Sequence, residues 1–310
     1  MEFFIAILLD ILEQGLIYGI MALGVYLSFK ILNFPDISVD GTFPLGAAVS
    51  VSLILHGVNP WLSLLVAFAA GLVAGALTGF FHVTCKINKL FSGIIVMTIL
   101  YSINIMVAGA PNQHLFMNDT LFDTGCIQAL PSFGPMIQIG VGLTSLVLVL
   151  LVKLALDYFL KTQKGLLLRA TGDNEQIVTA MSVNPGRLKI LGLALANGLV
   201  ALSGAILAQQ SGVFNVSMGT GTMTMGLASV IMGLILFGKI LKVPETSAVI
   251  LGSILYKALV SIAINLGAPS QLLNLVRGLL FFLILLGDRL YDKGGRFGKH
   301  KARSKAKEAM

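Results

Sequence analysis

The chain has 310 residues, 56% of them hydrophobic and 11% charged, with a mean hydropathy of +0.91 and a net charge of +7. Soluble globular chains carry about 25% charged residues, so this one lacks the polar surface to cover itself in water, and a water-soluble domain is excluded. Lipid has to be the covering, and spans of about 20 apolar residues with short connections fill the length with one bundle and no internal domain boundary.

In chain order, apolar runs between polar or Gly/Pro breaks predict nine spans, so the fold class is all-α, a polytopic transmembrane helical bundle. They run roughly over Phe3 to Phe29, Val39 to His56, Trp61 to Val83, Leu90 to Ala108, Met136 to Phe159, Leu188 to Gln209, Gly219 to Phe237, Thr246 to Asn265 and Gln271 to Leu286. The first twelve residues, with acidic Glu2 and Asp10 and no basic leader, read as the start of the first span. The second span carries Asp40, Gly41 and Pro44 at its start, the pattern of a broken or re-entrant helix.

Basic residues fix the expected orientation. Lys30, the pair Lys86 and Lys89, the set Lys161, Lys164, Arg169, Arg187 and Lys189, and the pair Lys239 and Lys242 alternate with connections free of Lys and Arg. The latter face outward, which puts the N-terminus outside and the C-terminus in the cytoplasm of a cell-membrane protein. Lys293, Arg296, Lys299, Lys301, Arg303, Lys305 and Lys307 crowd the end, so the chain divides into a membrane-spanning body, 1–292, and a basic cytoplasmic tail, 293–310. Next to a span such a tail holds the inner side and touches anionic lipid, and nucleic acid is not the expected partner.

Two connections are long. The outer one, Gly109 to Pro135, reads as an external cap or short helix, and the inner one, about 160–187, reads as an amphipathic helix at the inner face, ending at Asn184-Pro185-Gly186. Cys85 and Cys126 fall on opposite sides and form no disulfide framework.

No catalytic constellation emerges, because His56, His82, His114 and His300 are scattered and no Cys/His spacing suits zinc. Gly233 to Lys239 satisfies G-x-x-x-x-G-K, but Ile240 follows where Ser or Thr is needed and the run belongs to a span. The chain is therefore expected to bind no cofactor and to be no enzyme. Gly71, Gly75 and Gly79 lie four apart and let another helix approach closely. Thr220, Thr222 and Thr224 open the seventh span and could face a passage or cap a helix.

Charges inside spans are the sharper signal, since one at the bilayer centre costs about 2.5 to 3.5 kcal/mol even on the lenient insertion scale. Lys257 in the eighth span could meet a substrate carboxylate or pair with Asp10 or Glu13, and Arg277 in the ninth could do the same or snorkel outward. Asn33-Phe34-Pro35-Asp36 and Asp40-Gly41-Thr42-Phe43-Pro44 flank the start of the second span, where prolines free backbone groups that need protein or water. Asn33, Phe34, Asp36, Asp40, Thr42, Phe43 and Lys257 are accordingly the candidate passage lining. Asp36 and Asp40 would be hydrated carboxylates attracting an amino group, and Phe34 and Phe43 would offer apolar surface to an aromatic side chain; the other reading is that both aspartates cap the helix.

Gly15 to Gly24, then Ile31 to Ala47, resembles the opening of the branched-chain amino acid permeases, and Gly165 to Glu175, Val183 to Ile190 and Ala194 to Ala205 are similar to that family's cytoplasmic loop and following helix. Pro35-Asp36-Ile37-Ser38-Val39-Asp40-Gly41 resembles the tryptophan/tyrosine transport permeases, where the branched-chain branch has an Ala-His-Gly type turn. The resemblance implies the permease subunit of an ATP-binding-cassette importer for amino acids, aromatic (tryptophan/tyrosine) or branched-chain. It implies a cytoplasmic ATP-binding subunit that uses the ATP, an extracytoplasmic substrate-binding protein, and a second permease subunit, a homodimer in the simplest assembly. Arg169, Asp173 and Glu175 match the family's loop, and with Ala180 and Val183 they form the expected ATPase-coupling surface, an apolar helix face docking into a partner groove. The rivals are an ion-coupled secondary transporter or channel for small polar solutes, which would be expected to show internal repeats and embedded carboxylates, and a receptor or assembly protein.

Overall fold

The computed structural model describes residues 2–115, 119–122 and 134–265, with positions 275, 278, 279, 281–283 and 286 beyond them. Helix α1 (Glu2–Tyr26) runs straight into a π-helical turn, Leu27–Ile31; then come α2 (Val39–Leu55), α3 (Pro60–Val83), α4 (Lys89–Ala108) and a short strand β1 (Asn112–His114). After α5 (Gly134–Lys161) two short helices, α6 (Gln163–Asp173) and α7 (Glu175–Ala180), lead to α8 (Pro185–Ser211). Strand β2 (Val213–Asn215) and a 3-10 turn, Val216–Gly219, precede α9 (Thr222–Gly233), which a second π-helical turn, Leu234–Ile240, extends; α10 (Glu245–Asn265) follows.

Local chemistry sets the ends. Asn59, Asn88 and Asn184 each accept a hydrogen bond from the first turn of α3, α4 and α8, and Pro60 and Pro185 stand where a helix has no use for an N–H. Gly109 and Gly212, at φ 80° and 68°, stop α4 and α8 in the left-handed conformation that glycine adopts without penalty.

Among the described residues seven helical segments are long and apolar enough to cross a membrane, and the protein is a multi-pass membrane protein. The second predicted span is a continuous helix, although its 17 residues make it shorter than the others. Pro44 removes the N–H that would bond the Asp40 carbonyl, and the backbone of Gly219 presses against that carbonyl, where any Cβ would collide. The predicted ninth span falls largely outside the described residues, as do Arg277, Cys126 and the tail.

Helix α8 is the axis of the bundle, with 72% of its span buried against 22% for α5. The Gly71, Gly75 and Gly79 stripe of α3 lies on the α8 backbone at Asn197, Leu193 and Ile190 in antiparallel order, the close approach its spacing predicts. Gly24 of α1 faces Ala196, Gly46 of α2 faces Ala201, and Gly204 of α8 faces Phe43. Gln209, 2% exposed, donates from Nε2 to Ser50, Ser63 and the Pro60 carbonyl and accepts from the Leu121 N–H, joining α2, α3 and the outer connection.

Of the two forms expected for the outer connection, a cap or a short helix, its described part is not helical: Asn112–His114 pairs antiparallel with Val213–Asn215, tying two outer connections together. The inner connection departs too, being two helices rather than one. Asn174 is extended at φ −158°, and its side chain accepts from the Gln176 N–H at 2.9 Å, capping α7 and ending α6.

Candidate functional site

The start of α2 is a polar junction inside the bundle. Asp36, 2% exposed, accepts from the Ser38 N–H at 2.9 Å and the Ser38 hydroxyl at 2.6 Å on Oδ1, and from Asn197 Nδ2 at 2.7 Å on Oδ2. Asn197 lies near the midpoint of the 27-residue α8, so the carboxylate is held at mid-depth of the bundle by a partner that solvates it in place of water. Rather than a hydrated group, Asp36 in this state is a joint between α2 and α8.

Asp40 is different. Its Oδ1 accepts from the Thr222 hydroxyl at 2.8 Å and the Met223 N–H at 2.7 Å, while Oδ2 faces the Gly221 N–H at 3.3 Å. Asp40 therefore caps α9, a helix about 180 residues downstream, and its negative charge sits where that helix's dipole is positive. The sequence expectation of a cap applied to α2 itself. The Thr222 hydroxyl also donates to the Gly219 carbonyl, so it fixes Asp40 at the start of α9 without capping the helix itself. Asp40 remains partly exposed and lines a cavity of about 160 Å³ with Tyr101, Asn104 and Thr220. Asn104 is fully buried, donates to the Gly41 carbonyl at 3.0 Å and has no partner for its Oδ1 among the described residues.

Of the other candidate lining residues, Phe34, Thr42 and Phe43 are brought near the junction but turned inward. Phe34 is buried edge-on to His82 at 5.1 Å, with Lys89 Nζ 5.7 Å from its ring centre. Phe43 is buried and stacked on Tyr18 at 6.0 Å, and Thr42 bonds the Ser38 carbonyl. Both rings are thus engaged by the protein's own side chains. Asn33 is exposed at φ 51°, and its carbonyl accepts from Lys89 Nζ at 3.0 Å. Gly15 packs on Ile254 and Gly19 on Ser253, so α1 and α10 run antiparallel, and half-buried Lys257 falls at the level of Asp10 and Glu13, away from the junction.

On the side of the bundle with Lys30 and Lys89, α6 and α7 form a separate surface. Leu168 and Val178 are fully buried, Gly165 lies on the backbone of Phe159 and Leu160, and Gly172 lies on the carbonyl of Ile31, which clamps the pair to the bundle. Their outward residues leave an apolar groove of about 440 Å³ lined by Gln163, Leu166, Leu167, Ala170, Met181 and Val183, with Leu166 57% and Met181 61% exposed. Arg169, Asp173 and Glu175 are exposed on the same two helices, Arg169 lining a neighbouring cavity with Lys153, Asp157 and Lys161; Ala180 is exposed beside Met181, and Glu175 pairs with Lys189 of α8 at 2.6 Å. Exposed apolar side chains on helices that also present charges suit a protein partner. Gly233 to Lys239, the G-x-x-x-x-G-K run, is helical throughout, with no strand before it and no phosphate-cradling loop. Among the described residues no group of His, Cys, Asp and Glu could hold a metal ion.

Sequence reasoning missed Asn197, Gln209 and Asn104. Each is an amide inside an otherwise apolar helix, a signal open to the same logic applied to the charged residues.

Comparison with known proteins places these features. Residues 7–285 match the family described as branched-chain amino acid transport system / permease component. A tyrosine transport system permease protein of Clostridioides difficile is 39% identical over 278 residues, 90% of each chain. An uncharacterized protein of Rickettsia prowazekii is 32% identical over 90% of this chain and 96% of its own. A ribose import permease protein of Bacillus subtilis is 25% identical over 66% of this chain and 60% of its own. The chain belongs to the branched-chain amino acid transport system permease component family.

Proposed function

We propose that this chain is the membrane-spanning subunit of an ATP-binding-cassette importer that carries amino acids, with tyrosine or tryptophan favoured over branched-chain cargo. The observation that carries the reading is the inner groove between α6 and the turn after α7. An apolar groove with large exposed side chains, on helices that also carry the exposed charges Arg169, Asp173 and Glu175 and are clamped to the ends of α1 and α8, fits an ATPase subunit that pushes on the bundle. The family membership and the 39% identical tyrosine permease support the choice of machine and of cargo.

In this reading nine spans set the N-terminus outside and the C-terminus inside, residues 1–292 form the permease body, and 293–310 is a basic tail on the inner leaflet. ATP is bound and hydrolysed by the partner ATPase, a substrate-binding protein docks outside, and two copies of this chain enclose the passage. The Asp40 cavity, with Asn104 and Thr220, is the part of the junction open to that passage, and Asp36 holds α2 on α8 behind it.

Proteoliposomes holding the full-length chain with its cognate ATPase and binding protein test this. L-tyrosine uptake is expected only with ATP and all three components, with unlabelled L-tryptophan competing and ribose not. Uptake driven by an ion gradient without the ATPase would overturn the importer reading in favour of a secondary transporter.

A further inference from the structure

The two π-helical turns stand at the ends of α1 and α9, and both face one cavity of about 340 Å³. A π turn inserts one residue into a helix, widens it and swings the following side chains off register, and such insertions concentrate at functional sites. The widening is visible in the backbone, where the N–H of Leu32 bonds the carbonyl of Leu27 and the N–H of Val243 reaches back to that of Phe237. The result here is a hollow between helix ends that would otherwise close on each other.

The lining has two parts. Phe29, Ile231, Ile235 and Val243 give an apolar wall, and Lys30 and Glu245 place one cation and one anion on the same cavity. The two do not pair with each other, and among the described residues Lys30 has no hydrogen-bond or ion-pair partner. Glu245 is held by the hydroxyl of buried Tyr26, which donates to Oε2 at 2.5 Å and leaves Oε1 for a ligand. Arg169 of α6 and Asp157 of α5 lie within electrostatic reach of the same tyrosine. The volume is that of a small-molecule pocket, which runs from about 300 Å³ upward.

We propose that this cavity is a binding site for a zwitterionic α-amino acid. The Glu245 carboxylate takes the ammonium group, the Lys30 ammonium takes the carboxylate, and the apolar wall with Phe29 takes the side chain. Opposite charges on one cavity favour a zwitterion over a sugar, which offers hydroxyls and no charge. The site rests on the reading of the chain as an amino-acid importer and places a stopping point for cargo at the Lys30 end of the bundle. The headgroup of phosphatidylethanolamine shares the chemistry of an ammonium beside an anion, so the test separates the two sources.

The full-length chain in nanodiscs of phosphatidylcholine and phosphatidylglycerol is titrated with L-tyrosine, with tyramine, which lacks the carboxylate, and with 3-(4-hydroxyphenyl)propionate, which lacks the ammonium. Lys30→Met is expected to weaken L-tyrosine about tenfold and leave tyramine unchanged; Glu245→Gln is expected to weaken L-tyrosine about tenfold and leave the propionate unchanged. Lys30→Arg and Glu245→Asp should restore L-tyrosine binding and so exclude misfolding as the cause. Equal losses for all three ligands, or no loss in either variant, overturn the assignment. If L-tyrosine does not bind in these discs and a photoactivatable phosphatidylethanolamine labels the native protein but neither Lys30→Met nor Glu245→Gln, the occupant is lipid and the amino-acid assignment falls. Because binding is measured without ATPase or binding protein, a failure of ATP-driven uptake leaves this result standing, and the reverse also holds.

Discussion

The bundle around α8 and the rim built from α6, α7 and the π turns solve opposite problems. Around α8 small residues bring backbones into contact, with Gly75 on Leu193, Gly46 on Ala201 and Gly24 on Ala196, and the polar groups Asp36, Asn197 and Gln209 are hydrogen-bonded to one another or to neighbouring helices. At the rim large apolar side chains stay exposed, Lys30 has no partner among the described residues, and helix register is broken twice. A close-packed interior has few ways to move, so the rim is where a partner can act, and Gly172 on the Ile31 carbonyl is where a push there reaches α1.

The comparison breaks most severely at the axis. Gly75→Leu drives a side chain into the Leu193 and Ala194 backbone of α8, where no rotamer change relieves the overlap. The expected loss is at least about 3 kcal/mol, read as failure to recover a monodisperse peak by size exclusion in detergent. A well-behaved protein with a native melting temperature would mean that α3 and α8 do not touch as described. At the rim the consequence falls on assembly instead. Val183→Asp or Ala180→Asp should abolish co-purification of the ATPase while insertion stays intact; exposed Ala180 should leave the melting temperature near the original, whereas half-buried Val183, packed against the core, should lower it. Normal ATPase recovery from either variant would remove the groove as the docking surface.

Between these lie the two aspartates, whose difference can be sharpened directly. Asp36→Asn turns an acceptor into a donor against the Ser38 N–H or the Asn197 amide and should cost about 1 to 3 kcal/mol of stability. Asp40→Asn keeps one acceptor for the α9 cap and should cost about 1 kcal/mol or less. Both should slow vesicle uptake more than they change binding-protein affinity, with thermal melting separating the first, which acts through stability, from the second, which acts at the passage. Unchanged uptake in both would make the pair purely structural. The smallest effect is expected at the tail, where deletion of Arg296 to Met310 should leave uptake within about twofold, because lipid-facing basic residues contribute about 1 kcal/mol each to membrane attraction and nothing to cargo. Complete loss of transport in an inserted, abundant truncation would assign the tail a further role.

What the sequence made legible follows the range of the forces involved. The Gly71, Gly75 and Gly79 stripe predicts its own contact because spacing along one helix is local information, and apolar runs locate helices for the same reason. The partner of Asp40 was not legible, since nothing near position 40 announces Gly221 to Met223. Strands of three residues carry no alternation to detect, and Asn174 reads as one polar residue in an amphipathic run until its cap is seen. The π turns leave the apolar pattern of α1 and α9 unbroken, so only the backbone reveals them. At the candidate passage, residue types predicted a polar junction, while Asn197 decided that Asp36 would be enclosed and the Asp40 cavity left open.

The cap that Asp40 places on α9 has a consequence for biogenesis. Asp40 emerges from the ribosome roughly 180 residues before the backbone it must bind, which at synthesis rates of about 5 to 20 residues per second is a delay of roughly 10 to 40 s. Through that interval the carboxylate has none of its final partners, and α2 cannot settle against lipid alone. The early helices must therefore wait in a hydrated or chaperoned site, and the arrival of α9 closes the assembly, so that a ribosome-released chain lacking α9 carries its own mark of incompleteness for membrane quality control.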